Sequence, residues 1–278
     1  MATSHQQLVS PEWLRENLDN PKVRVVDATV FLTFDENGAH TASGLDNYNE
    51  AHIPGAVFID QLTQINEHGG EAPFAVAPSE TFAEVVGAAG ISSEDTIVIY
   101  DTVNGIWATR LWWHFGLEGH DDVKILDGGL AAWTAAGHQT TGEPTTVTPT
   151  TFTANRRTDR IASTSDVEAA IADDSTLIIN ALDRESFAGG RIPSSVNLPF
   201  PELVDEAGKL RDLDELRPEF EAAGALNPDV RPITYCGGGI AATAVAFALI
   251  GLGRDDVSVY DGSLNAWTSD ENRPLETA

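Results

Sequence analysis

Cys236 is the only cysteine in the chain, and three glycines follow it directly. Residues 232–235 before it predict a short buried strand, and residues 240–251 after the glycines predict a helix. A cysteine at this turn faces the unpaired N–H groups of a helix N-terminus, which stabilise a thiolate. Glycines adopt backbone angles closed to other residues, so successive N–H groups can turn inward around an anion. The pattern predicts a nucleophilic thiolate within an anion-binding loop that comprises Gly237, Gly238, Gly239, Ile240, Ala241 and Ala242.

Other interpretations of the loop compete with this one. A lone cysteine is often a buried core residue, although three following glycines argue against that role. The spacing Gly237-x-Gly239-x-x-Ala242, with Asp261 at the end of the next strand, also fits a dinucleotide-binding oxidoreductase. A cysteine phosphatase would need an arginine six residues after the cysteine to hold phosphate, and Ala242 stands there.

The chain contains two copies of one pattern, which argues against the dinucleotide interpretation. Cys236 falls on Asp101, and Asp261 falls on Asp127, in a first copy that has no glycine fingerprint. We therefore expect Asp127 and Asp261 to fix turns, and Asp101 to cap the helix that follows it. The matched segments are 23–28 with 176–181, 51–59 with 190–198, and 97–133 with 233–267.

Each copy alternates short apolar runs with segments of helical spacing, which predicts an α/β fold. Such alternation is typical of a mostly parallel sheet flanked by helices. A Thr- and Pro-rich stretch between the copies reads as a linker. We predict a first, non-catalytic repeat at 8–140, a linker at 141–160 and a second, catalytic repeat at 161–275.

The composition restricts the partners. The net charge is −27 and the chain has only three lysines, so its surface repels nucleic acid and anionic membranes. Such acidity is typical of proteins from salt-loving organisms, in which high salt screens the self-repulsion. The N-terminal residues contain no apolar signal segment and no long apolar run follows, so we expect a cytoplasmic protein. One cysteine excludes an internal disulfide and a multi-cysteine zinc site, and neither a metal nor an organic cofactor is expected.

The strand–Cys–loop–helix arrangement, the AHIPGA and GRIPSS segments, and the endings DGGLAAW and DGSLNAW resemble the tandem rhodanese family over about residues 8–268. The resemblance implies two rhodanese-like domains, of which the first has lost the cysteine and the second is catalytic. It implies a sulfurtransferase that takes sulfur from thiosulfate or 3-mercaptopyruvate onto Cys236 as a persulfide and passes it to a thiol or to cyanide. A non-catalytic sulfur carrier or interaction module is the alternative.

The sequence departs from the family at the donor site. The segment CGGGIAA resembles the loop of the mercaptopyruvate enzymes, but Gly238 stands where those enzymes have serine. Ser186 stands where the family has a donor-binding arginine. Arg184 and Arg191 lie nearby and are the candidates to bind the donor, with plain surface positions as the alternative. Because the loop carries no cationic side chain, we expect 3-mercaptopyruvate to be preferred over the thiosulfate dianion.

Overall fold

The computed structural model describes residues 7–35, 38–67, 69–70 and 72–277. Runs of β-branched and aliphatic residues form the buried centre of a first parallel sheet, as expected for strands covered on both faces. Its strand order is β1-β7-β6-β2-β5. The strands are β1 (Leu8–Val9), β2 (Val23–Asp27), β5 (Val57–Phe58), β6 (Thr96–Tyr100) and β7 (Val123–Leu126). Between β2 and β5, β3 (Val30–Asp35) and β4 (Gly38–Ser43) pair in antiparallel fashion.

The second sheet repeats the topology of the first. Its order is β10-β9-β11-β12-β8, so each strand has a counterpart at the same place in the first sheet. All pairings within it are parallel, which confirms the predicted fold class. The strands are β8 (Ile161–Ala162), β9 (Thr176–Asn180), β10 (Val196–Asn197), β11 (Arg231–Tyr235) and β12 (Ser258–Tyr260).

Helices cover both sheets. Those of the first repeat are α1 (Pro11–Asn17), α2 (Leu45–Glu50), α3 (Ser79–Ala88), α4 (Ile106–Leu117) and α5 (Gly129–Ala135). Those of the second are α6 (Thr164–Ala170), α7 (Arg184–Gly189), α8 (Phe200–Leu203), α9 (Leu213–Ala222), α10 (Ala241–Gly251) and α11 (Ser263–Trp267). No helix in the described part of the chain has the length and apolar character needed to cross a bilayer.

Helices α4 and α10 pack against each other and join the two repeats. Trp112 meets Phe247 edge to face, with ring centroids 4.8 Å apart, and Thr243 donates to Thr109 across the same contact. A single apolar cluster runs through both helices and both sheets. Each of these helices follows the central strand of its sheet, so the packing brings the carboxyl ends of the two sheets, where such folds bind ligands, toward each other. The repeat limits 8–140 and 161–275 stay a prediction.

Candidate active site

Cys236 lies at the carboxyl end of β11, the central strand of the second sheet. Its side chain is buried, whereas Gly237 and Gly238 are half-exposed and form the accessible part of the loop. Its backbone N–H donates to the Ser263 hydroxyl at 3.0 Å, and its carbonyl accepts the Leu264 N–H at 3.0 Å. The N-terminus of α11 therefore anchors the start of the loop.

The glycines of the loop meet separate steric demands. Gly239 has a φ of +82°, and a Cβ there would lie 2.4 Å from the Asp261 carbonyl oxygen. A Cβ at Gly238 would lie 2.9 Å from the ring of Phe74, which comes from the first repeat. A Cβ at Gly237 would enter open space. The loop therefore has no room for a side chain at 238, against Phe74, or at 239, against Asp261, but it has room for one at 237.

The corresponding loop of the first repeat shows what such a turn binds. Asp101 Oδ1 accepts the N–H groups of Val103 and Gly105 at 2.9 and 3.0 Å. Its Oδ2 accepts those of Trp107 and Ala108 at 3.0 and 2.9 Å. Four backbone donors thus converge on one buried carboxylate, so Asp101 caps α4, as the sequence indicates.

The second repeat has a matching set of backbone N–H donors, but no side chain accepts them among the described residues. Gly105 and Gly239 share the left-handed conformation, with φ of +81° and +82°, so Trp107 and Ala108 correspond to Ala241 and Ala242. Within the described residues, the N–H groups of Gly239, Ala241 and Ala242 have no hydrogen-bond acceptor. Since Cys236 replaces Asp101, these donors are available to an anionic sulfur.

Sequence reasoning missed Arg110, a buried arginine from α4 of the first repeat. Its Nη1 donates to the Gly239 carbonyl at 3.1 Å, and its Nη2 donates to the Phe74 carbonyl at 2.6 Å. The same Nη2 lies 2.6 Å from Asp261 Oδ1, and the guanidinium stacks 4.7 Å above the ring of Trp113. The available signal was the one arginine in the mostly apolar segment Ile106–Leu117, because a buried charge requires partners.

Asp127 and Asp261 have a role that differs from the turn-fixing one expected. Asp261 Oδ2 accepts the Val76 N–H of the first repeat at 3.0 Å, and Asp127 Oδ2 faces Lys209 of the second. Each carboxylate therefore faces a loop of the opposite repeat. Burial raises the pKa of Asp127, while Lys209, whose Nζ lies 3.9 Å from Oδ2, opposes that rise. Because Asp261 is held by Arg110 and Val76, it is not placed to bind a ribose.

Of the two arginines suggested for the donor, Arg184 begins α7 and Arg191 lies two residues beyond its end. Arg184 follows β9, which pairs with β11, so it lies at the same sheet edge as Cys236. Its guanidinium binds Glu202 through two contacts of 2.6 and 2.5 Å, and its side chain is 69% exposed. Arg191 stacks 4.8 Å above Phe187 and lies 3.5 Å from Glu276. Both stay predictions as donor ligands.

The two parallel sheets have the same topology. The loop after the central strand carries an aspartate in the first repeat and a cysteine in the second. These features define a duplicated α/β protein with one thiol site. The profile of the Rhodanese-like domain matches residues 10–136 and 163–270. The chain therefore belongs to the rhodanese family and carries two tandem copies of its domain.

Relatives with different named activities match equally well. The 3-mercaptopyruvate sulfurtransferase of Escherichia coli (strain K12) is 30% identical over 96% of this chain and 97% of that protein. The thiosulfate sulfurtransferase of Bos taurus is 31% identical over 95% of this chain and 92% of that protein. The crystal structure of the 3-mercaptopyruvate sulfotransferase SseA from Escherichia coli superposes with a TM-score of 0.84 at 31% identity, covering 93% of this chain and 98% of that one. Overall similarity therefore does not distinguish the donors.

Proposed function

We propose that the protein is a sulfurtransferase that carries sulfur on Cys236. The Cys236 thiolate attacks the sulfur to be transferred, which is the sulfane sulfur of thiosulfate or the thiol sulfur of 3-mercaptopyruvate. With thiosulfate the S–S bond breaks and sulfite leaves; with 3-mercaptopyruvate the C–S bond breaks, and the thiol proton moves to carbon as pyruvate leaves. A thiol or cyanide then removes the outer sulfur and regenerates the thiolate.

The observation that carries this proposal is the unfilled set of backbone donors around Cys236. In the first repeat the matching donors hold a full carboxylate charge at 2.9–3.0 Å. In the second, the N–H groups of Gly239, Ala241 and Ala242, which have no acceptor in the described part of the chain, would stabilise the persulfide anion in the same way. Preorganised donors of this kind are worth about 10²–10³ in rate each.

The test is a comparison of the wild type with Cys236→Ser. Mass spectrometry after donor treatment should show one added sulfur on the wild-type peptide containing Cys236 and none on the variant. Turnover should disappear in the variant while the melting temperature is retained, because a serine hydroxyl is a far weaker nucleophile near neutral pH. An active serine variant would refute the mechanism, and persulfide formation without turnover would favour a sulfur carrier.

We propose that 3-mercaptopyruvate is preferred over thiosulfate as the sulfur donor and that Arg184 or Arg191 binds its carboxylate. Supporting this, the loop residues 237–242 carry no cationic side chain, and Arg110 is already held by Asp261. Arg184 follows β9, the strand that pairs with β11. Exposed ion pairs such as its contact with Glu202 are worth only about 0–1 kcal/mol, so a substrate can displace Glu202.

Arg184→Ala and Arg191→Ala, each assayed with both donors, test this assignment. Loss of the binding arginine should lower kcat/KM with 3-mercaptopyruvate by about tens- to hundreds-fold. Wild-type kcat/KM in both variants would exclude the two arginines. Much better use of thiosulfate by the wild-type protein would contradict the choice of donor.

We also propose a cytoplasmic location in a salt-rich cell, without nucleic-acid or membrane partners. The net charge of −27 supports this, because self-repulsion of that size needs screening. The melting temperature should rise steeply between dilute buffer and molar potassium chloride. A melting temperature independent of salt would contradict the salt requirement and leave the sulfurtransferase proposal intact.

A further inference from the structure

Among the described residues, three hydrogen bonds to carbonyl groups hold the part of the loop between Cys236 and Gly239. The Cys236 carbonyl accepts the Leu264 N–H, and the Gly237 carbonyl accepts the Asn265 N–H at 2.9 Å. The Gly239 carbonyl instead accepts Arg110 Nη1, the one bond of the three that comes from the first repeat. The second repeat therefore fixes only part of its own loop.

Fixing a carbonyl also fixes the next N–H. A peptide unit is planar, so its C=O and N–H point in opposite directions. When Arg110 holds the Gly239 oxygen, the N–H of Ile240 is directed to the other side of the loop. The orientation of this peptide unit sets how the chain enters α10, whose first two N–H groups, those of Ala241 and Ala242, are among the donors proposed for the persulfide. That unit turns about ψ of Gly239, and glycine, which has no Cβ, restricts this rotation less than any other residue.

The guanidinium itself is fixed on every side. It is 4% exposed, and its partners are the carbonyl groups of Gly239 and Phe74, the Asp261 carboxylate and the Trp113 ring. Only a planar fork with several donors can satisfy these partners together; a lysine ammonium has the charge but not the geometry.

From these contacts we infer that Arg110 is a positioning residue for sulfur transfer: through the Gly239 carbonyl, the first repeat holds the loop of the second in the conformation that accepts the persulfide. The inference rests on the proposed function. It also assigns the first repeat a part in catalysis, although that repeat carries no nucleophile of its own.

Arg110→Met and Arg110→Lys test this inference, with Arg156→Met as the matched control. Arg156 binds Glu118 and the Ala77 carbonyl, both outside the loop, so its loss also removes a guanidinium from a buried carboxylate. Each protein is assayed well below its own melting temperature. The readouts are the single-turnover rate of sulfur loading on Cys236, kcat and KM, and the rate of Cys236 alkylation by iodoacetamide.

Arg110→Met should load sulfur about tens- to hundreds-fold more slowly than Arg156→Met, with kcat falling far more than KM changes. Arg110→Lys, which keeps the charge beside Asp261, should fall between Arg110→Met and the wild type. Loading by a folded Arg110→Met within about three-fold of the control would overturn the inference, since one lost donor is worth about 10²–10³. If Arg110→Met does not fold, loading at the wild-type rate by Arg110→Lys would overturn it.

Alkylation separates this inference from the proposed function. A wild-type protein that takes sulfur from neither donor would refute the sulfurtransferase proposal. Iodoacetamide would still report the loop, because it reacts with the thiolate that the same N–H groups stabilise. Slower alkylation of both Arg110 variants than of Arg156→Met would then support the positioning role, and equal alkylation would refute it.

Discussion

The Asp101 loop and the Cys236 loop follow the central strands of their sheets and pass through a left-handed glycine before their helices begin. In the first repeat the Asp101 carboxylate accepts hydrogen bonds from four backbone N–H groups at 2.9–3.0 Å, so these donors are already occupied. In the second repeat a thiol replaces the carboxylate, and matching donors are left without an acceptor among the described residues. The exchange of the carboxylate for a thiol, in a loop one residue shorter, thus separates a helix cap from the proposed anion site.

The comparison also shows that the repeats complete each other unequally. Asp261 accepts the Val76 N–H of the first repeat, and Asp127 faces Lys209 of the second. Only the second loop receives an arginine, since Arg110 pairs with Asp261, whereas Asp127 has the more distant Lys209. The contact that the first repeat makes through Arg110 is buried, whereas the contact that it receives from Lys209 is longer and partly exposed.

The largest difference between the loops is expected from their left-handed glycines. Gly239→Ala places a Cβ 2.4 Å from the Asp261 carbonyl, whereas the nearest atom to a Cβ at Gly105 is 4.0 Å away. We expect Gly239→Ala to lower kcat/KM about 100-fold or more, because the loop must move its donors. Gly105→Ala should cost only about 1 kcal/mol of unfolding free energy, the cost of a left-handed alanine.

Steady-state kinetics and urea denaturation of the two variants measure this difference. Similar activity losses in both would show that glycine flexibility, and not the close approach to Asp261, shapes the loop. Full activity in Gly239→Ala would remove the steric basis of the comparison.

The second prediction concerns Gly238, which faces Phe74 of the first repeat. A serine at 238 would meet the ring at 2.9 Å, so Gly238→Ser should lower kcat/KM about ten-fold through overpacking of about 1–3 kcal/mol. The same change at Gly237, where a side chain enters open space, should cost less. Removing the ring in Phe74→Ala/Gly238→Ser should restore part of the loss.

A double-mutant cycle over Phe74 and Gly238 measures the coupling, which we expect at about 1–2 kcal/mol. Additive effects would mean that the glycine at 238 is not required by Phe74. The departure from serine noted in the sequence would then need another cause.

Sequence patterns predicted the elements whose formation depends on residues close together in the chain. Strand β11, helix α10 and the cysteine loop between them lie within a residue or two of the predicted limits, because apolar periodicity and glycine mark them directly. Arg110 was not predicted because two of its partners, Gly239 and Asp261, lie 129 and 151 residues away in the second repeat. For the same reason Asp127 and Asp261 were assigned to local turns. Their partners belong to the opposite repeat, and those contacts form only when α4 packs against α10.

A third prediction removes the filled cap. Asp101→Ala leaves four buried N–H groups without their acceptor and should lower the unfolding free energy by about 1–3 kcal/mol. Asp101→Asn, which keeps one acceptor oxygen, should lose less. Because Asp101 takes no part in sulfur transfer, both variants should keep kcat within about two-fold, well below the 10²–10³ of a lost transition-state donor. A large fall in kcat at unchanged stability would contradict the separation of roles between the loops.

The smallest effect is expected one strand away, where the repeats differ by a single buried atom. Asp27 ends β2, and its counterpart Asn180 ends β9; both are fully buried. Asp27 Oδ1 accepts the Thr29 N–H at 2.9 Å, and Asn180 Oδ1 accepts the Leu182 N–H at 2.8 Å, so asparagine fits this turn. Burial raises the pKa of Asp27, and the Asp101 carboxylate raises it further, while hydrogen bonds from Thr29 lower it.

A carboxyl group whose pKa is raised by folding contributes stability fully present below its unfolded value of 3.8 and lost as the pH rises through the folded value. At pH 8 the wild type therefore bears the cost of a buried charge that Asp27→Asn avoids. We expect Asp27→Asn to raise the melting temperature at pH 8 by about 2–4 °C, the shift that corresponds to roughly 1 kcal/mol, and by less at pH 4. The reciprocal Asn180→Asp should lower it at pH 8, since it brings the same charge into the second repeat. Thermal melts of both variants at the two pH values decide the matter: equal shifts at pH 4 and pH 8 would mean that packing, and not ionisation, distinguishes Asp27 from Asn180.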